Sequence, residues 1–131
     1  MWSETERQVL DDLTRDLHAR GWASHVTVEN LLGTWREVAH DVNRYKLTVD
    51  DFTNDLTARD ALEEVLRHCR NEEVCKKLMT NIDEADQNYR AATDEDGGVA
   101  LSRYYRVDSA SGWWWRRCPR SGALADYLKA T

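Results

Sequence analysis

Two groups of side chains carry the atom types of a metal centre, but their spacing does not fit one. Glu37 and His40 form the E-x-x-H pair that di-iron helical bundles use, and in those bundles the ligands point inward. On the predicted second helix both residues lie opposite the apolar stripe, and the sequence contains no second E-x-x-H pair. The three cysteines, Cys69, Cys75 and Cys118, lack the C-x-x-C spacing of a zinc site. We therefore predict no metal and no cofactor.

The remaining chemical motifs do not single out a catalytic residue. Asp94–Gly97 is similar to the start of a calcium loop, but Ala92 and Arg103 would then occupy positions one and twelve, which require carboxylates. The sequence contains no glycine-rich phosphate loop and no G-x-S-x-G element. No serine or cysteine has a histidine partner that spacing would identify. The sequence favours binding over catalysis.

Three charged residues run down the apolar face of the predicted third helix. Asp55, Arg59 and Glu63 follow one another at four-residue steps, among the apolar Phe52, Leu56, Leu62 and Leu66. Buried charges must be paired, because removing one partner of a buried pair costs about 3–5 kcal/mol. We interpret the group as a structural polar cluster, in which an Asp55–Arg59 pair fixes helix register and contacts the Tyr45 loop. A polar enzyme site built on the same three residues is the alternative.

Aromatic and basic residues are interleaved near the carboxyl end of the sequence. In two facing strands, side chains alternate between the faces, which places Leu101, Tyr105, Val107, Trp113 and Trp115 toward the core. The opposite face would then present the binding patch Tyr104, Arg106, Trp114 and Arg116. Tryptophan, tyrosine and arginine often dominate interface energetics, and the same residues stack on bases and neutralise phosphates. In a third interpretation, the hairpin packs onto the acidic helices and its arginines balance their charge.

Amphipathic helices with short connections must position these residues. Apolar residues recur at three- and four-residue steps, and capping residues stand at the expected starts. The first helix is predicted to begin at Ser3, with Glu6 completing a capping box, and to end at Gly21. The next three are predicted from about Thr27 to Tyr45, from Thr48 through Leu66, and from about Asn71 to Ala92. Gly33 leaves a break in the second helix open, with Thr34 and Glu37 as another capping box. This pattern predicts a bundle of about four helices.

The end of the sequence has strand-like composition. LSRYYRVD and WWWRRC predict two strands, with Ser109–Gly112 as the turn, and Ser121 caps a short final helix. The predicted fold class is mainly α with minor β, in a single domain of residues 1–131. Its parts are a helical bundle over 1–93, a β-hairpin over 99–119 and a short helix over 121–129.

Composition indicates a globular protein with an uneven charge. Of 131 residues, 41% are hydrophobic and 32% charged, with a net charge of −6. Residues 1–98 hold 12 Lys and Arg against 22 Asp and Glu, and residues 99–131 hold 6 against 2. No membrane-length apolar run or signal-like start is present, and the odd, unpatterned cysteines argue against disulfides. These features predict a cytoplasmic protein with no membrane partner.

The segment from Trp35 to Leu62, together with the later WWWRRCP, resembles a group of small bacterial helical proteins. That group shares a Trp…Tyr…DD-aromatic…NDL…RD pattern and a tryptophan-rich carboxyl end. The resemblance covers about half of the chain and brings no functional residue with it. It implies a bacterial single-domain protein and one structural unit formed by Asn54, Asp55, Leu56, Arg59 and Asp60.

The sequence favours a non-enzymatic protein-binding module of the inhibitor, immunity-protein or antitoxin type. Its acidic helices suit a basic protein partner, because opposite potentials speed encounter. Single-stranded nucleic-acid binding through the tryptophan–arginine hairpin is the alternative, and the net charge of −6 opposes it.

Overall fold

The long helices begin where the sequence offers a side-chain cap. The computed structural model describes residues 2–130. Ser3 accepts a hydrogen bond from the Glu6 N–H while the Glu6 carboxylate accepts one from the Ser3 N–H, and Thr48 and Asp51 form the same reciprocal box. The other two capping side chains are those of Thr27 and Asn71. All four predicted starts are confirmed.

The described residues form five α-helices and two short strands. They are α1 (Glu4–Ala19), α2 (Val28–Asp41), α3 (Val49–His68), α4 (Glu72–Ala92), β1 (Thr93–Glu95), β2 (Arg117–Pro119) and α5 (Ala123–Lys129). The fold is mainly α with minor β and a short final helix, as predicted. Helix α2 is continuous through Gly33, so the predicted alternative of a break there is wrong. None of the helices within residues 2–130 combines the length and apolar character needed to cross a bilayer.

Helix α2 is the centre of the packing, since it lies against both α3 and α4. Its Trp35 is fully buried and its ring lies 4.9 Å from that of Tyr89 on α4. Leucines of α1 and the apolar face of α3 complete the core, in which Phe52, Leu56 and Leu62 are fully buried. The core therefore joins all four long helices, and the later segments pack on it.

The first strand is not where the sequence placed it, and the second overlaps its predicted position only at Arg117 and Cys118. The other predicted strand residues include 3₁₀ turns at Leu101–Arg103 and Trp113–Trp115. The antiparallel pair is β1 with β2, in the register Thr93 opposite Pro119 and Glu95 opposite Arg117. An isolated two-stranded hairpin is marginal in water, and tight turns let consecutive tryptophans point in different directions. Packing of the three rings on the helices thus outweighs their strand propensity.

Cys69 and Cys75 are bonded in a disulfide, with their Cα atoms 6.0 Å apart. The expectation of unpaired cysteines was wrong because it weighed number and spacing alone. Cys69 directly follows α3, and Cys75 lies in the first turn of α4, so the tight junction between these helices brings them together. Cys118 is free and buried.

Candidate functional site

Arg59 is the centre of a buried polar network. Its Nε and Nη2 donate to the two carboxylate oxygens of Asp86, each at 3.0 Å, and both side chains are only 6% exposed. Its Nη1 donates to Glu63 at 2.8 Å. The guanidinium lies 4.3 Å from the ring centre of Trp114, and Trp35 Nε1 donates to Asp86 at 2.9 Å. The predicted Asp55–Arg59 pair is wrong, because α4 supplies the principal partner.

The guanidinium of Arg59 finds all of its charged partners within this network. Burial disfavours the charged guanidinium, but the hydrogen bonds and charges of Asp86 and Glu63 offset that effect and raise the pKa of Arg59. All three guanidinium nitrogens have carboxylate partners. Among the described residues, no buried side-chain nitrogen or oxygen lacks a hydrogen bond. The arrangement ties helix α3 to helix α4 and leaves only the Glu63 carboxylate of the network partly exposed, with 45% of its side chain accessible.

Asp55 makes a separate contact on the same helix. It accepts the Tyr45 hydroxyl at 2.7 Å, as predicted for the loop after α2. Burial and this hydrogen bond raise the pKa of Tyr45. Asp55 and Arg59 therefore stabilise different neighbours: one fixes the Tyr45 loop and the other ties α3 to α4.

Asp60 links helix α3 to the tryptophan-rich turn. Its Oδ1 accepts the indole N–H of Trp114 at 3.0 Å and that of Trp115 at 2.9 Å. Burial raises the pKa of Asp60, although both indole bonds oppose the shift. Trp114 and Trp115 are buried, with 4% and 2% exposure. Two adjacent tryptophans thus share one carboxylate, which explains why the turn can pack against a helix.

The predicted outward patch is not one surface. Trp114 lies inside, under Arg59, so the expectation that its side chain points outward was wrong. Arg116 is half-buried and donates to the Ser111 carbonyl at 2.5 Å. Tyr104 is half-buried and Arg106 is exposed, with its side chain 92% accessible. The alternation assumed for a strand fails because these residues are in turns.

The basic segment binds the end of α4. Arg117 donates to the carbonyls of Arg90 and Thr93, and Arg120 donates to the Ala91 carbonyl and to Asp94. The last carbonyls of a helix have no partner within it and carry partial negative charge. The interpretation in which arginines balance charge internally therefore describes Arg117 and Arg120.

A tyrosine cleft lies where the loop after α2 meets α5. It has a volume of about 450 Å³ and is lined by Tyr45, Lys46, Leu47, Thr48, Val49, Asp50, Tyr104, Ala123, Leu124 and Tyr127. Leu47 is 63% exposed and Tyr127 57%, so both stand at the surface despite their apolar area. The Tyr104 and Tyr127 rings lie 6.0 Å apart. Tyr104 is the one residue of the predicted patch that contributes to this surface.

A carboxylate cleft adjoins it across the same loop. Its volume is about 470 Å³ and it is lined by Thr34, Glu37, Val38, Asp41, Arg44, Tyr45, Lys46, Leu47 and Asp55. Hydrogen bonds with His40 and with Arg44, the latter at 2.5 Å, lower the pKa of Asp41. Glu37 and His40 are both exposed, in agreement with their predicted position opposite the apolar stripe. Within residues 2–130, no three His, Cys, Asp or Glu side chains are grouped as metal ligands.

Sequence reasoning missed both the partner of Arg59 and the clefts. Asp86 lies on the buried seam of α4 between Ile82 and Tyr89, and an acid at such a position is a signal for a facing cation. The tyrosine cleft combines residues from three separate stretches of the chain, for which no local pattern exists. Comparisons with protein-family models, curated proteins and solved structures found no match to this chain.

Proposed function

We propose that this protein acts by binding another protein, without catalysis, in the manner of an inhibitor, immunity protein or antitoxin. The observation that carries the proposal is the tyrosine cleft, where Leu47 and Tyr127 expose apolar area beside Tyr104. Tyrosine supplies a large contact area together with a polar hydroxyl, and it is enriched in protein interfaces. The docking surface is therefore the cleft rather than the tryptophan turn.

The charge distribution supports a basic partner. The helical part of the chain is strongly acidic, and its exposed acids include Asp50 at the edge of the tyrosine cleft. The lining of the cleft itself holds one acid, Asp50, and one base, Lys46, so the preference for a basic partner comes from the acidic helices around it. Complementary potential speeds association and selects against acidic competitors.

Nucleic-acid binding has less support from the geometry. Arg116, Arg117 and Arg120 donate to groups of this chain and Arg106 is paired with Asp108 at 3.5 Å, so four of the five arginines of the carboxyl-terminal segment already have partners. Electrostatic binding to a phosphate backbone depends on neutralising many phosphates. Arginines that are mostly paired within the chain, next to acidic helices, supply little of this phosphate-neutralising energy.

A cytoplasmic location stays a prediction, and one of its premises has changed. The expectation rested partly on unpaired cysteines, whereas Cys69 and Cys75 are bonded. Disulfides persist in oxidising compartments and are rare in the reducing cytosol. The disulfide is therefore an argument against the cytoplasmic location.

The test is co-purification of the tagged protein from its source cells after nuclease treatment. The variant Leu47→Ser/Tyr127→Ser removes the apolar rim of the cleft, and Met79→Ser is the control, because Met79 is 50% exposed on α4 outside the cleft. We expect a stoichiometric, positively charged protein with wild type and with the control, and its loss with the cleft variant.

Calorimetry with the purified partner then measures the effect. Interface residues of this type contribute about 2 kcal/mol or more, which is roughly 30-fold in affinity. A partner that binds the cleft variant and the wild type equally, or an eluate without any stoichiometric protein, refutes the proposal. Circular dichroism of each variant shows that the fold is intact.

A further inference from the structure

The disulfide between Cys69 and Cys75 lies at the junction of α3 and α4. Both cysteines are half-buried, and residues 70–73 beside them are exposed. The core below the junction is closed, since Val65 and Val74 are fully buried. The disulfide therefore lies at the edge of the core, where a thiol reagent can meet it without the core opening.

The fold at this junction does not depend on the disulfide alone. Its cysteines are six residues apart, and a disulfide that closes a short loop stabilises the folded state less than one that closes a long loop. Helix α4 has a cap of its own, because the Asn71 side chain accepts the N–H of Val74 at 3.0 Å. Burial of Val74 also holds the first turn of α4 against the core. We therefore expect the chain with two thiols in place of the disulfide to stay folded.

Basic side chains are concentrated around the pair, although the helical part of the chain is acidic. Residues 67–77 hold four Lys and Arg against two Glu, and all four of these cations are exposed. Cys75 also lies in the first turn of α4, where the helix carries partial positive charge. Positive charge of both kinds stabilises a thiolate, and the sulfur that forms the more stable thiolate leaves more readily. Cys75 is therefore the better leaving group, and Cys69, outside both helices, is the sulfur to be attacked.

We infer that Cys69 and Cys75 form a thiol–disulfide exchange site, which a dithiol reduces while the protein stays folded. A thiolate of the dithiol attacks Cys69 Sγ, the bond to Cys75 Sγ breaks, and its electron pair leaves with Cys75. The second thiolate of the dithiol then attacks the mixed disulfide and releases Cys69. The dithiol thus loses two electrons and two protons and becomes a disulfide, and the two cysteines take them up as thiols.

This inference is independent of the proposed binding function, because it uses no residue of the tyrosine cleft. The pair stays closed in oxidising surroundings and opens where dithiols are abundant.

The first experiment follows reduction of the folded protein by dithiothreitol, with alkylation in denaturant and mass spectrometry as the readout. Reduction raises the number of alkylated thiols from one, at Cys118, to three. We expect a rate proportional to the dithiothreitol concentration and nearly constant in urea below the unfolding transition, and an unchanged circular dichroism spectrum after reduction. A rate that follows the unfolded fraction as urea is added, or loss of the helical signal on reduction, overturns the inference.

Gly122→Ala is the control for reduction through global unfolding. A Cβ at Gly122 would collide with the carbonyl of Asn43, which precedes α3, so the change acts at the end of that 20-residue helix opposite to Cys69. We expect the variant to be reduced at the wild-type rate. If reduction needs global unfolding, the rate rises with the unfolding constant, about 30-fold for a loss of about 2 kcal/mol, and the inference is wrong.

The second experiment identifies the attacked sulfur. A thioredoxin-type protein without its second active-site cysteine stays attached to the sulfur that it attacks. Trypsin cleaves after Arg70 and so separates Cys69 from Cys75. We expect the adduct on Cys69, and none in Cys69→Ser/Cys75→Ser, where the buried Cys118 is the remaining thiol. An adduct on Cys75 overturns the assignment of Cys69, and an adduct that forms only in urea overturns exchange in the folded state.

Discussion

Replacing Arg59 with leucine tests whether the buried network is structural. The substitution removes both hydrogen bonds to Asp86, each 3.0 Å long, and the contact over Trp114. The Asp86 carboxylate, which is only 6% exposed, then keeps a single hydrogen bond of the network, the one donated by the Trp35 indole. An uncompensated buried charge of this kind costs about 3–5 kcal/mol. With a urea slope of about 1.5 kcal/mol per molar, the unfolding midpoint falls by about 2–3 M.

A double-mutant cycle separates the interaction energy of Arg59 with Asp86 from the effect of removing each side chain alone. Asp86→Leu alone is expected to cost a similar amount, because it leaves Arg59 buried with Glu63. In Arg59→Leu/Asp86→Leu no charge is stranded, and the remaining cost is mainly the unpaired Trp35 N–H, about 1–3 kcal/mol. The double variant is therefore expected to lose several kcal/mol less stability than the sum of the two single losses.

The assay is urea unfolding followed by far-ultraviolet circular dichroism at pH 7. Arg67→Leu on the exposed side of α3 is the control, and its stability should change by less than about 0.5 kcal/mol. The reasoning is refuted if Arg59→Leu costs less than about 1 kcal/mol, or if the double variant loses the full sum of the two single losses.

Two glycines and the disulfide give the other predictions. Gly33→Ala should stabilise the protein by about 0.5–1 kcal/mol in thermal unfolding, since a Cβ there meets nothing within 4 Å. Gly122→Ala should cost more than about 2 kcal/mol, because Gly122 has φ +95° and its Cβ would collide with the Asn43 carbonyl; equal effects at the two glycines would contradict this. Replacing Cys69 and Cys75 with serine should cost about 2 kcal/mol through loop entropy. Alkylation of unreduced, denatured protein should label one thiol, and labelling of three would exclude the disulfide.

The helices were predictable because their signals are local. Ser3 with Glu6 and Thr48 with Asp51 are capping boxes that need no information from distant residues. The bond from Tyr45 to Asp55 was also expected, since it joins a loop to the helix that follows it.

The partners of the tryptophans were not predictable from local patterns. The strand propensity of the WWW segment is real, but it competes with burial of three large rings on a surface the helices create. Asp60 becomes an acceptor for Trp114 and Trp115 only after α3 has packed, over separations of more than fifty residues. Tyr104 fell within the predicted patch and lines the observed cleft for a different reason, which is its position beside α5.

The carboxyl-terminal segment caps the end of α4, and it is synthesised after the helix that it caps. The Asp60 carboxylate and the last carbonyls of α4 leave the ribosome before their partners Trp114, Arg117 and Arg120. A chain shortened at Ala92 would contain the sequences of the four long helices but would lack Trp114 and Trp115, which pack on α3 through Asp60. Until residues 113–120 are available, the surface that they cover stays exposed, and chaperones bind exposed apolar surface of this kind.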